Sequence, residues 1–271
     1  MFHRGKALAA ALLMPLALAA CLFTPGKFAS TLDIRADRSF TFTYKGEIQA
    51  LDLKRLSGKA TEAAIKEKGK DEDSDDAKDD PAVLTGAVLV QSDDKKDPDL
   101  ALTPEEKAER DAEYRELATQ IAKEAGYRTV EYRGDGLFWV DYAISGKLSH
   151  GFAFPYNQDA QMVFPFVVIE LRGKDVVRVK APGFAQQDSS GLGGAGAMGA
   201  MSEGMGDGMG KAMGYESAKM AGTFTLTTNA EIVSQNQEDG ARAGAAGKTI
   251  VWTVNNRTKD APTAVLRVVG L

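Results

Sequence analysis

The sequence predicts an α+β domain, a mainly antiparallel sheet with one long helix packed on a face and two disordered inserts. Three observations lead there. Apolar and polar residues alternate with period two through most segments outside the inserts. Short turns rich in Gly and Asp separate these segments, as turns between antiparallel neighbours do. One segment carries both a helix cap and helical spacing of apolar residues. With 44% apolar residues in 271, the chain has enough material for one core.

Residues 28–35 and 39–49 read as strands around the polar turn Ala36-Asp37-Arg38. In the second, Phe40, Phe42 and Tyr44 alternate with Thr41, Thr43 and Lys45, so one face is apolar and the other wet. A weak helical run at 59–68 dissolves into 70–80, where seven acids outnumber two lysines and repulsion favours a solvated linker. Asp71-x-Asp73-x-Asp75 has the spacing of a calcium loop. Asp76 stands where that loop needs glycine and Ala82 where it needs glutamate, so a linker insert over 69–81 is the better reading.

Thr103 opens the one convincing helix. Pro104 occupies the first turn, where its missing N–H costs nothing, and Glu106 completes a capping box. Tyr114, Leu117, Ile121 and Ala125 form a stripe expected to dock on the sheet, and Gly126 is the expected stop. Period two then returns. Residues 127–133 and 136–148 are expected to form a hairpin across Gly134-Asp135-Gly136, with Phe138, Val140, Tyr142 and Ile144 on one face. Residues 161–172 and 175–180 form a second pair around Gly173-Lys174. The run 164–169 reads as buried on both faces, apart from Pro165, which removes a ladder donor. Residues 223–229, 249–255 and 263–269 supply three more strands.

Glycine and methionine dominate 189–214, a composition whose backbone entropy opposes independent packing, so it is expected to be the second flexible insert. Met198, Met201, Met205, Met209 and Met213 fall at helical spacing within it. An adaptable stripe for protein contacts and a soft-metal site are the alternatives, the latter lacking any His or Cys nearby. Gly191-x-Gly193-x-x-Gly196 matches the dinucleotide fingerprint as a string, but the strand, tight turn and helix that give it meaning are missing from the pattern. His150 follows a strand with Ser149 beside it and Asp159 nearby; with no nucleophile motif aimed at it, it reads as a turn histidine.

The composition limits the chemistry further. The net charge is -5 and becomes about -7 if a leader carrying Arg4 and Lys6 is removed, which disfavours a nucleic-acid partner. The single cysteine, Cys21, forbids an internal disulfide and a thiolate cluster. No catalytic constellation emerges, and a non-enzymatic protein without cofactor or metal site is expected.

Arg4 and Lys6 precede an apolar stretch over 7–18, shorter than the roughly 20 residues a membrane-spanning helix needs and of the length of a signal h-region. It runs into Leu18-Ala19-Ala20-Cys21. These residues resemble the lipobox of bacterial lipoproteins. The resemblance implies a signal peptide over 1–20, removed before Cys21, and lipid attached to Cys21. Residues 21–27 are then expected to be anchor and tether, with a single domain over 28–271. Because Leu22 and not an aspartate follows the cysteine, the resemblance implies the periplasmic face of an outer membrane as the address.

The lipobox, a hairpin beginning near Phe28, a helical middle, and the late residues Asn229 and Gly247-Lys248-Thr249-Ile250-Val251-Trp252 are together similar to the LppM-like family of bacterial lipoproteins. The chain departs from that family in its acidic and Met/Gly inserts and in having no transmembrane helix after the Trp252 strand. The resemblance implies an α+β envelope domain with lipid or glycolipid binding. The expected function is thus a membrane-anchored envelope protein whose partners are the membrane, through acylated Cys21, and a lipid-like ligand or an envelope protein. An assembly factor using the Met-rich loop and an unrecognised enzyme are the alternatives.

Overall fold

The computed structural model describes residues 21–52, 103–155, 165–185 and 219–270. The expected signal peptide over 1–20, the run at 59–68, the two expected inserts and residues 156–164 lie outside them.

The described strands are β1 (Cys21–Ile34), β2 (Ser39–Asp52), β3 (Tyr127–Tyr132), β4 (Leu137–Lys147), β5 (Phe152–Phe154), β6 (Val167–Arg172), β7 (Val176–Lys180), β8 (Ala221–Thr228), β9 (Glu231–Gln235), β10 (Arg242–Gly244), β11 (Gly247–Asn255) and β12 (Thr263–Arg267); the helix is α1 (Pro104–Ile121). They build two sheets where the sequence suggested one. The first has the order β10-β11-β8-β1-β2-β4-β3 and the second β5-β6-β7-β12-β9. All pairs are antiparallel except β1 with β8, which run parallel from Lys27↔Ala221 to Ile34↔Thr228.

Period two explains the layering. Inward residues Phe42 and Tyr44 of β2, Leu32 and Ile34 of β1, Phe224 and Leu226 of β8, and Ile250 of β11 are buried on the first sheet. Val167 and Ile169 of β6, Val177 and Val179 of β7, and Leu266 of β12 answer from the second. Aromatic rings bridge the sheets: Tyr44 and Phe154 lie 5.1 Å apart, and Phe184 sits 4.3 Å from Phe28 and 5.6 Å from Phe224. Facing inner surfaces of alternating apolar residues are how sheets stack into a sandwich. The second sheet covers only part of the first, and α1 covers the β3–β4 end of the same face, with Tyr114 5.6 Å from both Tyr132 and Phe138.

The hairpins at Ala36-Asp37-Arg38, Gly134-Asp135-Gly136 and Gly173-Lys174 stand where the sequence placed them. Gly136 has φ +78°, and a Cβ there would lie 2.6 Å from the Ala50 carbonyl oxygen, so this turn requires glycine. The capping box is formed: Thr103 Oγ1 accepts from the Glu106 N–H at 3.2 Å, and Glu106 Oε2 accepts from the Thr103 N–H at 2.7 Å.

Several expectations change. The first strand begins at Cys21, not Phe28: within 21–27, where an anchor and tether were expected, Cys21–Pro25 pairs with β2 and Lys27 with β8. The helix ends at Ile121, before Gly126, and Ala125 is exposed beyond it. Its buried positions are Arg110, Tyr114 and Ala118, with Leu117 and Ile121 flanking. Strand β6 starts at Val167, and Val168 is half-buried on an outer face, so that strand is not covered on both sides. Short β5, β9 and β10 escaped the sequence reading because three to five residues show too little periodicity. Among the described residues, no helix is long and apolar enough to cross a membrane.

Candidate functional site

Where the second sheet stops covering the first, the C-terminal end of α1 bridges the gap incompletely. An apolar groove remains, lined by Phe23 of β1, Ile48 of β2, Ile121 of α1, Tyr127 and Val130 of β3, Phe138 and Val140 of β4, and Pro155. It spans four adjacent strands, β1-β2-β4-β3, which at about 4.8 Å per spacing is roughly 14 Å across. Its cavity volume is about 30 Å³. That admits a water-sized or methylene-sized group and falls far below the roughly 300–1,000 Å³ of pockets that enclose a drug-sized ligand.

The groove's helical wall is held by a polar cluster at the opposite end of α1. Arg110 is 1% exposed, and its Nη2 donates to Asp111 Oδ1 at 2.9 Å and to Asp135 Oδ1 at 3.2 Å. Tyr132 Oη donates to Asp111 Oδ1 at 2.6 Å and accepts from the Gly136 N–H at 3.1 Å. Lys107 Nζ lies 2.8 Å from Asp135 Oδ1. Gln49 Nε2 donates to the Asp135 carbonyl oxygen at 2.8 Å, tying β2 to the same turn. A buried guanidinium is tolerated only with such charge-assisted partners.

The electrostatics follow the contacts. Burial raises the Asp111 pKa, but the Tyr132 hydroxyl and Arg110 outweigh it and the net shift is downward. The hydrogen bond from Lys107 is the main reason Asp135 is also lowered. Burial, with Asp111 beside it, pushes Tyr132 up to about 12. At the groove, burial raises Tyr127 well above the usual phenol value, so its hydroxyl is neutral throughout the physiological range. The cluster holds its two carboxylates below their ordinary pKa values, and the groove lining is uncharged.

Cys21, the one site residue expected from sequence, is the first residue of β1 and the partner of Asp52. Phe23, two positions along the strand, enters the groove. His150 is exposed in the turn after β4, with its Nδ1 3.1 Å from Ser149 Oγ. Among the described residues, no group of three or more His, Cys, Asp or Glu side chains is placed to hold a metal ion. Sequence reading missed the groove because its residues come from β1, β2, β3, β4, α1 and the 155 loop. The one local signal was the apolar pair Leu22-Phe23 directly after the cysteine, which continues the strand pattern instead of a polar tether.

The late residues Asn229, Gly247 and Trp252 are built into the fold. Asn229 Oδ1 accepts from the Ala36 N–H at 2.7 Å. Gly247, at φ +115°, lies so close to the Thr228 carbonyl that a Cβ would collide with it. Trp252 stacks on Phe224 at 5.6 Å and donates from Nε1 to Asn236 Oδ1 at 3.1 Å.

No protein-family model and no curated protein matches the chain. Among solved structures, the NMR structure of the folded domain of the Mycobacterium tuberculosis LppM protein is similar, covering 91% of each chain at 13% sequence identity with a TM-score of 0.30.

Proposed function

We propose that this chain is a non-enzymatic envelope lipoprotein, anchored through Cys21 on the periplasmic face of an outer membrane, whose groove takes the apolar end of a lipid-like ligand. The observation that carries the reading is the groove, a small uncharged apolar depression lined in part by Phe23 of the strand that starts with Cys21. Its dimensions restrict the ligand. A narrow channel admits a chain end and not a whole lipid, and each buried methylene contributes ~0.8 kcal/mol. A space that admits one methylene-sized group gives no more than about that amount, so binding is weak and depends on the high local lipid concentration at a bilayer. Ligand polarity is unconstrained by the lining, which fits capture by tail more than by headgroup.

The test is an NMR titration of the acyl-free domain with a short-chain lyso-phospholipid below its micelle concentration. Saturable shifts are expected at Phe23, Ile48, Val130 and Val140, and Val130→Glu should remove them while preserving the rest of the spectrum. Shifts spread evenly over the surface, or unchanged in Val130→Glu, would defeat the reading.

A further inference from the structure

We infer that the bilayer lies directly against the end of the sandwich where β1 begins, so that the domain stands on the membrane in one orientation with its groove at the headgroup layer. The inference rests on acylation of Cys21. From that residue to Pro25 the backbone is paired with β2, before an irregularity between Pro25 and Phe28: Cys21↔Asp52, Leu22↔Leu51 and Phe23↔Ala50 are strand partners. The Ala50 N–H donates to the Gly136 carbonyl at 2.8 Å, which fastens this rung to the β3–β4 turn. A flexible linker would let the domain wander by about 5–6 Å × √n for n residues, and here n is zero.

The geometry places the groove next to the membrane. Phe23 is two residues from the anchor, about 7 Å along the strand. That distance is comparable with the roughly 5–8 Å of headgroup layer on each side of the hydrocarbon core. A chain end can therefore reach the groove while its lipid stays in the bilayer, which offsets the weak affinity of so small a channel. The orientation follows from the short attachment and not from charge attraction by the described cations of this end. Among the described residues Lys107 pairs with Asp135 at 2.8 Å, Arg133 with Glu131 at 3.5 Å and Arg110 with Asp111 at 2.9 Å, so these cations are already engaged by acids of the chain.

Energy transfer from dye-labelled protein to acceptor lipids in phosphatidylcholine/phosphatidylglycerol vesicles tests this with the acylated full chain. Cys21 is the one natural cysteine and carries the lipid, so a thiol introduced by Glu131→Cys or Lys147→Cys is labelled uniquely. Glu131 is opposite Trp139, and Lys147 is eight residues further along β4, about 27 Å more distant from the anchored end. Transfer from the Glu131 site should exceed that from the Lys147 site several-fold, independent of salt. Ten Gly/Ser residues inserted between Cys21 and Leu22 should bring the ratio towards one. Equal transfer from both sites in firmly attached, unspaced protein would overturn the orientation and leave the lipoprotein reading standing. Failure of the full chain to attach to vesicles at all would overturn both.

Discussion

At the scale of single residues, Arg110 marks the difference between pattern and environment. It occupies a buried helix position that a hydrophobic stripe assigns to an apolar side chain, and it is 1% exposed. Asp111 beside it on α1 and Asp135 in the β3–β4 turn make that burial possible. Asp111 and Asp135 have folded pKa values below their ordinary values. A carboxylate lowered in the folded state contributes stability that is fully present above its unfolded value, near 4, and is lost as pH falls through the folded value. Urea midpoints should therefore be flat from pH 7 to 5 and drop below about pH 4. Asp111→Asn should destabilise the fold at neutral pH by roughly 2 kcal/mol, lowering the urea midpoint accordingly, and flatten the acid limb. A variant with the wild-type acid profile would show that the clamp contributes nothing to it.

At the scale of elements, α1 forms because its N-terminus is capped in sequence, yet what it covers is settled elsewhere. The capping box and Pro104 determine the start. Thr103→Ala should cost about 1 kcal/mol in denaturant unfolding, and Thr103→Ser should restore most of it. An unchanged midpoint for the alanine variant would mean that contacts of Tyr114 and Ala118, not the cap, hold the first turn. The hairpins were legible for the same local reason, since Gly134-Asp135-Gly136 supplies the left-handed conformations the turn needs. The two-sheet arrangement was not legible. β8 enters between β11 and β1, pairing in parallel with a strand almost two hundred residues earlier, and β9 then crosses into the other sheet. Alternation says that each strand has an apolar face, but carries no information on which partner faces it.

At the scale of the whole molecule, the proposed attachment and the fold meet at Cys21. The thioether-linked lipid on Cys21 is the proposed anchor. Cys21→Ser should leave the folded domain intact, because it alters only the first residue of β1, and should release the protein from membranes washed with carbonate. Mutant protein that still pellets with the membrane would locate the attachment in another part of the chain.

The sequence alone determined the local features: the leader and lipobox pattern, the capped helix start, the glycine turns and the inward residues of the long strands. Each depends on neighbours within a few positions, and so on bond geometry and periodicity. Tertiary structure alone decided that the presumed tether is sheet, that the strands divide into a sandwich, and that Arg110 is buried. It also decided that six separate segments leave an apolar groove beside the anchor. Those outcomes arise from surfaces meeting across long stretches of chain, where the area buried and the polar groups satisfied, and not the residue pattern, select among the pairings available.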